Sequence, residues 1–250
     1  MGMVARARAR LITSLRASEI VPSPNIWHWP EVYETENRAQ DAEGTLWRLL
    51  GDLCDWSGDV LDVGCGDGFH LPRFASAARS VLGVEPHPPL VERARARIAK
   101  MPGITVAPGS AQELPVGDAT FDVVHARTAY FFGPGCDPGL READRVLRPG
   151  GTLVIVDLDA ARPPYGRWMR ADLPDYDPAE VDKFFDLKGF TRHRVSTVWR
   201  FADRESMAAV LRIEFSAAVA ARALAEVPGL EFTVGYRVLI RRKPTGLILS

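Results

Sequence analysis

A chain of 250 residues with 46% hydrophobic content can bury one good core, so a single α/β domain is the expectation. The net charge of −1 gives no global field to attract nucleic acid or an acidic membrane. The longest strongly apolar run, 153–156, is far short of the roughly 18 residues of a membrane span, and the N-terminus has no apolar signal core, so a cytoplasmic protein without a membrane span is expected.

Residues 1–25 carry Arg6, Arg8, Arg10 and Arg16 against one glutamate, a local charge of +3, while the other 225 residues sum to −4. Clustered charge without aromatics stays unpacked, which predicts a flexible basic arm. Pro22-Ser23-Pro24-Asn25 separates it from the aromatic stretch Trp27, His28, Trp29 and Tyr33 and from a helix over 41–53. Together 26–56 read as an aromatic and helical cap on one domain, 26–250. Cys54, the first of three scattered cysteines with Cys65 and Cys136, belongs to neither a disulfide framework nor a zinc spacing; no metal is expected.

Over 57–160, short β-rich runs alternate with segments of helical period, the pattern of a parallel sheet covered by helices. Strands are predicted at 60–63, 81–85, 104–107, 121–126 and 152–157, five strands of a doubly wound core. One helix opens on Pro88-Pro89, with Leu90, Ala94 and Ile98 inward; another opens on an Asp137 cap with Pro138 in its first turn. Arg148-Pro149-Gly150-Gly151 stops the second. A Pro-rich stretch within 161–190 is long enough to act as a lid. The end, 191–250, reads as strand 194–201, one long helix 203–226 and strand 230–241, the two strands forming one sheet edge.

The chemistry concentrates at Leu61-Asp62-Val63-Gly64-Cys65-Gly66-Asp67-Gly68-Phe69, where a strand meets three alternate glycines and then a helical pattern. Glycines there let backbone N–H groups approach a ligand, and a helix start adds partial positive charge. Phe69 occupies the place of the third glycine of G-x-G-x-x-G, so the dinucleotide pattern is broken. Asp62 beside the loop would repel a pyrophosphate and attract a cationic amino group. Glu85 ends the next strand 21 residues after Gly64, where a carboxylate can accept from two ribose hydroxyls, a device that NAD enzymes share. The plain alternative is that Asp62 caps the helix and the glycines only turn the chain.

Taken with Val84-Glu85-Pro86, 109–115, 117–124 and 140–156, the glycine loop resembles the class I S-adenosylmethionine-dependent methyltransferases, most closely the small-molecule branch similar to ubiquinone and menaquinone methyltransferases. The resemblance implies a Rossmann-like seven-stranded sheet, mostly parallel with its last strand antiparallel and helices on both faces. It implies S-adenosylmethionine as cofactor, S-adenosylhomocysteine as product and a small-molecule methyl acceptor. Carried over residue by residue, it places Asp62, Gly64 and Gly66 at the methionine moiety, with Cys65 among the cofactor-binding residues. Glu85 falls at the ribose, Ser110, Ala111 and Gln112 at the adenine, and the backbone of His125 near the amino group; Pro86 also counts among the cofactor-binding residues. The family commonly has aspartate where Ser110 stands, which shifts the adenine contact to a hydroxyl or to Gln112.

Acceptor-side candidates are Trp27, His28, Trp29, Tyr33, His70, Tyr130, Phe131 and Phe132, each of which equally reads as core or surface; no catalytic base is assigned. The stretch after residue 125 lacks the Asn/Asp-Pro-Pro-Tyr/Phe motif of amino-methylating nucleic-acid enzymes, so base methylation is disfavoured. Arg192, His193, Arg194 and Arg200 read as an anion patch or as alternating solvent-facing residues. A non-catalytic cofactor-binding module and an NAD(P)-dependent oxidoreductase are the rival readings. A monomer or homodimer is expected.

Overall fold

The structure is a computed structural model that describes residue 20 and residues 22–246. The four arginines of the basic arm lie outside the described residues. Strands β1 (Asp59–Val63), β2 (Ser80–Glu85), β3 (Ile104–Pro108), β4 (Phe121–Arg127), β5 (Leu147–Leu158), β6 (Thr191–Arg200) and β7 (Glu231–Arg242) form one sheet in the order β3-β2-β1-β4-β5-β7-β6. The first five pair in parallel. Against β5, β7 runs antiparallel: Lys243 N donates to Gly151 O at one end and Asp159 N to Gly235 O at the other, so partner numbers fall as β5 advances. The near-continuous burial of β1, β4 and β5 fits strands covered on both faces. Among the described residues, no helix is long and apolar enough to cross a membrane.

The helices in chain order are α1 (Pro24–His28), α2 (Pro30–Ala39), α3 (Thr45–Leu53), α4 (Leu71–Ala75), α5 (Pro88–Ile98), α6 (Asp137–Val146), α7 (Tyr165–Asp172), α8 (Pro178–Leu187), α9 (Arg204–Glu214) and α10 (Ala217–Glu226). The chain gathers into two compact units, one of residues 51–157, 185–192 and 238 onward, the other of residues up to 50, 158–184 and 193–237. In the first, Leu61, Val84, Val124, Leu153 and Val154 are fully buried, with Leu90, Ala94 and Ile98 of α5 and Leu140, Ala143 and Val146 of α6 turned inward. In the second, the Tyr165 ring lies 5.3 Å from Trp199 and 5.1 Å from Phe215, an aromatic core. Glu214 is buried there and accepts from Tyr165 Oη at 2.5 Å and Asn25 Nδ2 at 2.7 Å.

Four elements depart from the sequence-based expectation. The helix expected over 41–53 starts at Thr45, because Asp41 sits in a left-handed conformation (φ 50°) and its carboxylate caps Leu46 N at 3.0 Å and Trp47 N at 3.1 Å. Asp137 is no cap: it lies inside the first turn of α6, and its carboxylate pairs with Lys188. Arg148-Pro149-Gly150-Gly151 belongs to β5 rather than to a break before it. A register shift against β4 and the positive φ of Gly150 absorb the irregularity, while Arg148 bonds Asp122 at 2.6 Å and Asp59 at 2.9 Å.

The single C-terminal helix is two, α9 and α10. Phe215 is extended, and Ser216 starts a new helix by accepting from Val219 N, while Asp172 takes the N–H and the hydroxyl of Ser216. Helical periodicity ran on through this joint because Ile213 and Ala217 keep the four-residue spacing, while Ser216, held by the distant Asp172, breaks the helix between them.

Candidate active site

The site grows from the switch point of the sheet, where β1 lies between β2 and β4 and successive strands are added on opposite sides. Ligands of open α/β sheets bind in the crevice at the carboxyl ends of such strands. Gly64, Gly66 and Gly68 all have positive φ (73°, 58° and 78°), which glycine adopts without a Cβ penalty. At Gly64 a Cβ would stand 2.5 Å from Ala129 Cβ, so the turn also needs the missing side chain.

The loop's N–H groups turn inward. Gly64 N and Cys65 N both donate to Val84 O (2.8 and 3.1 Å), Gly66 N to Glu85 Oε2 (3.0 Å), and Gly68 N to Cys65 O (3.0 Å). The expectation that these N–H groups reach a ligand is thereby corrected, since the protein itself engages them. The helix that follows, α4, has only five residues and begins at Leu71, so it adds little dipole field at the loop. Both points weigh further against a diphosphate ligand.

Carboxylates dominate the turn. Asp62 is 5% exposed, and its Oδ1 lies 2.7 Å from Nδ1 of His125, which is fully buried. The two residues sit opposite each other in the parallel β1–β4 register. Glu85, also buried, braces the turn through Oε2 to Gly66 N and through Oε1 to His87 N, each at 3.0 Å. Burial pushes its carboxyl up to about 7, against the pull of those two N–H groups and with the help of Asp62 and Asp67. Asp67 is paired with Arg97 at 2.6 Å. The Cys65 thiol packs against Gly83, where a Cβ would stand 2.7 Å from its sulfur, and burial holds its pKa well above the usual thiol value. It is a packing residue, in line with the plain reading of a small side chain in the loop.

Pro86 carries the chain from Glu85 to His87, and Gly109 N donates to Glu85 O at 3.2 Å, which brings the 110–112 turn beside the end of β2. Ser110 and Glu113 form an isolated bridge around Ala111, which is buried, and Gln112, which is half-buried. Asp62, Gly64, Cys65, Gly66, Glu85, Pro86, Ser110, Ala111, Gln112 and His125 therefore all lie in one compact unit around the ends of β1, β2, β3 and β4.

The acceptor-side candidates divide. Trp27, His28, Trp29 and Tyr33 belong to the other unit, in α1, α2 and the residue between them, with His28 and Trp29 exposed. Phe131 is a core residue, 1% exposed. Burial and neighbouring positive charges hold the His70 imidazole well below its usual range. Thr128 and Tyr130 both have positive φ (46° and 52°), unusual for non-glycine residues, in the turn that closes on Gly64. Burial pushes the Tyr130 phenol up to about 12.

The arginine cluster is no anion patch. Arg194 is held by Asp159 at 2.8 Å and by Asp182, Arg200 by Glu231 at 2.8 Å, and Arg192 by Asp186 at 3.0 Å. What sequence reasoning missed is the pairing of the His125 side chain with Asp62; the resemblance had pointed only to that residue's backbone.

Residues 61–155 match a family described as the methyltransferase domain. The chain is 39% identical over 124 residues to a 27-O-demethylrifamycin SV methyltransferase of Amycolatopsis mediterranei, covering 48% of this chain and 46% of the relative. It is 33% identical over 102 residues to a sterol 4-C-methyltransferase of Caenorhabditis elegans, covering 39% and 30%. The chain thus spans less than half the length of these relatives. The YcgJ protein of Bacillus subtilis shares the fold, with a TM-score of 0.58 at 18% identity, over 82% of this chain and all of that one. Residues 61–155 are thus similar to a methyltransferase domain, on a fold that the YcgJ protein shares.

Proposed function

We propose that this chain binds S-adenosylmethionine at the β1–β4 switch point and transfers its methyl group to a small-molecule acceptor. The observation that carries the reading is the Asp62 carboxylate: one oxygen is held by His125, and the other makes no hydrogen bond within the described residues, beside a left-handed glycine turn. A buried carboxylate with a free oxygen suits an ammonium group. At about 4 Å and an effective dielectric of 20, that attraction is worth roughly 4 kcal/mol, and a pyrophosphate would be repelled by a similar amount.

The residues fit the remaining parts of the ligand. Glu85 keeps lone pairs for ribose hydroxyls beyond the two N–H groups it already accepts. Ser110 has a hydroxyl with no hydrogen bond inside the described protein, which supports a role for it, with Ala111 and Gln112, at the adenine. Pro86 and the backbone at Gly64, Cys65 and Gly66 shape the walls. When bound, the cofactor supplies an electrophilic methyl on a sulfonium, and the contribution asked of the protein is to orient it against the acceptor and exclude water. No side chain is assigned as a base. The names of the two relatives support a small-molecule acceptor, since one methylates a demethylrifamycin and the other a sterol.

Calorimetric titration tests the cofactor: S-adenosylhomocysteine should bind the wild-type protein, and Asp62→Asn should weaken it by about 1 to 3 kcal/mol. Heat from NADH with none from S-adenosylhomocysteine would overturn the reading. Labelled cofactor incubated with small-molecule pools tests transfer, and tight binding with no labelled acceptor would assign the chain to the non-catalytic modules instead.

A further inference from the structure

Within the proposed cofactor site, the structure assigns a role to the His125 side chain: we infer that it is a positioning residue, which holds Asp62 so that Oδ2 is presented to the ammonium of the ligand. The inference rests on the reading of the site given above. It concerns a side chain, whereas the resemblance to the methyltransferases points only to the backbone at this position.

Three observations converge. Nδ1 of His125 and Oδ1 of Asp62 are 2.7 Å apart, and both side chains are more than nine-tenths buried. A carboxylate is an acceptor only, so Nδ1 donates, and in the neutral ring the lone pair falls on Nε2. Nε2 has no hydrogen-bond partner among the described residues, so the ring makes one polar contact, and that contact is with Asp62.

The ring is also held on its flanks. Phe74 lies 4.8 Å from it at a tilt of 58°, and Trp56 lies 5.9 Å away, edge-on at 66°. Phe74 and Trp56 are themselves stacked at 5.2 Å. An imidazole clamped in this way cannot swing from Asp62 without displacing two aromatic rings from a close-packed region. Because residues 62 and 125 face each other in the strand register, the backbone fixes the span of the pair. A buried polar network confined to one hydrogen bond between two strands adds nothing that apolar side chains could not supply to the core. It does determine which carboxylate oxygen is left for a ligand.

The side-chain geometry suggests the test. The amide nitrogen of asparagine stands where Nδ1 of histidine stands, two bonds from Cβ, whereas the amide of glutamine reaches the Nε2 position. Binding of S-adenosylhomocysteine is measured beside 5′-methylthioadenosine, which shares the nucleoside but has no ammonium group. We expect His125→Leu to weaken S-adenosylhomocysteine by tenfold or more and to leave 5′-methylthioadenosine within twofold. His125→Asn should restore S-adenosylhomocysteine to within about threefold of wild type, and His125→Gln should not.

An equal loss for both ligands in His125→Leu would overturn the inference, since it would show general damage to the fold. Unchanged S-adenosylhomocysteine affinity in His125→Leu would do the same. If the leucine variant does not fold, the comparison of asparagine with glutamine decides, and equal affinity in those two overturns the assignment. Failure of the wild-type protein to bind either ligand would instead overturn the cofactor reading, and the inference with it.

Discussion

Glu85 shows how much a single residue's surroundings can alter its chemistry. With its carboxyl raised from 4.5 to about 7 by burial, the folded protein holds a proton there that the unfolded chain releases. That contribution to stability is complete below about pH 4.5 and is lost as pH rises through 7, on the order of 3 kcal/mol in all. Urea unfolding of the wild type and of Glu85→Gln, whose amide does not titrate, should therefore diverge across this window. Parallel curves would show that Glu85 is ionised throughout. Cofactor affinity should move the other way, because ribose hydroxyls are donors and favour the ionised carboxylate. We expect S-adenosylhomocysteine to bind more tightly at pH 8 than at pH 6 and to displace a proton near pH 7, both measurable by calorimetry in buffers of different ionisation enthalpy. Glu85 was visible in the sequence as an acid at the end of a strand. Its two bonds to Gly66 N and His87 N were not, because they depend on β2 lying against β1.

At the scale of elements, strands and helices followed their periodicities, and the misses came where one side chain competed with a period. Asp41 is the clearest case. Its carboxylate caps two N–H groups five and six residues ahead, reaching across a turn that the usual N-cap spacing of two or three residues does not describe. Asp41→Ala should cost about 1 kcal/mol or somewhat more, given the left-handed backbone there, and lower the melting temperature by roughly 2 to 4 °C. An unchanged thermogram would show the cap to be idle. The joint between α9 and α10 has the same origin, in Ser216 and Asp172, whose 44-residue separation no local pattern encodes. The glycine turn was legible from its spacing, but its purpose changed: positive φ and close packing require the glycines, and the N–H groups serve the protein.

At the scale of the molecule, remote residues are tied by a few buried polar contacts. Glu214 joins Asn25, 189 residues away in sequence, and Tyr165, 49 away, within one unit. Glu214→Leu would leave an amide and a phenol buried without this acceptor, and we expect it to cost about 2 to 4 kcal/mol and to raise hydrogen exchange in α1. Unaltered stability would mean that water reaches these groups. The sequence by itself determined the seven strands in chain order, most of the helices between them, the glycine turn, and Asp62 and Glu85 flanking it. Those features are written in spacings of two to four residues and in the dihedral freedom of glycine. Only the tertiary structure decided the strand order β3-β2-β1-β4-β5-β7-β6, and with it the pairing of Asp62 with His125 across 63 positions. Strand neighbours are chosen by burial and register in the packed sheet, and no local period records which distant strand will lie beside which.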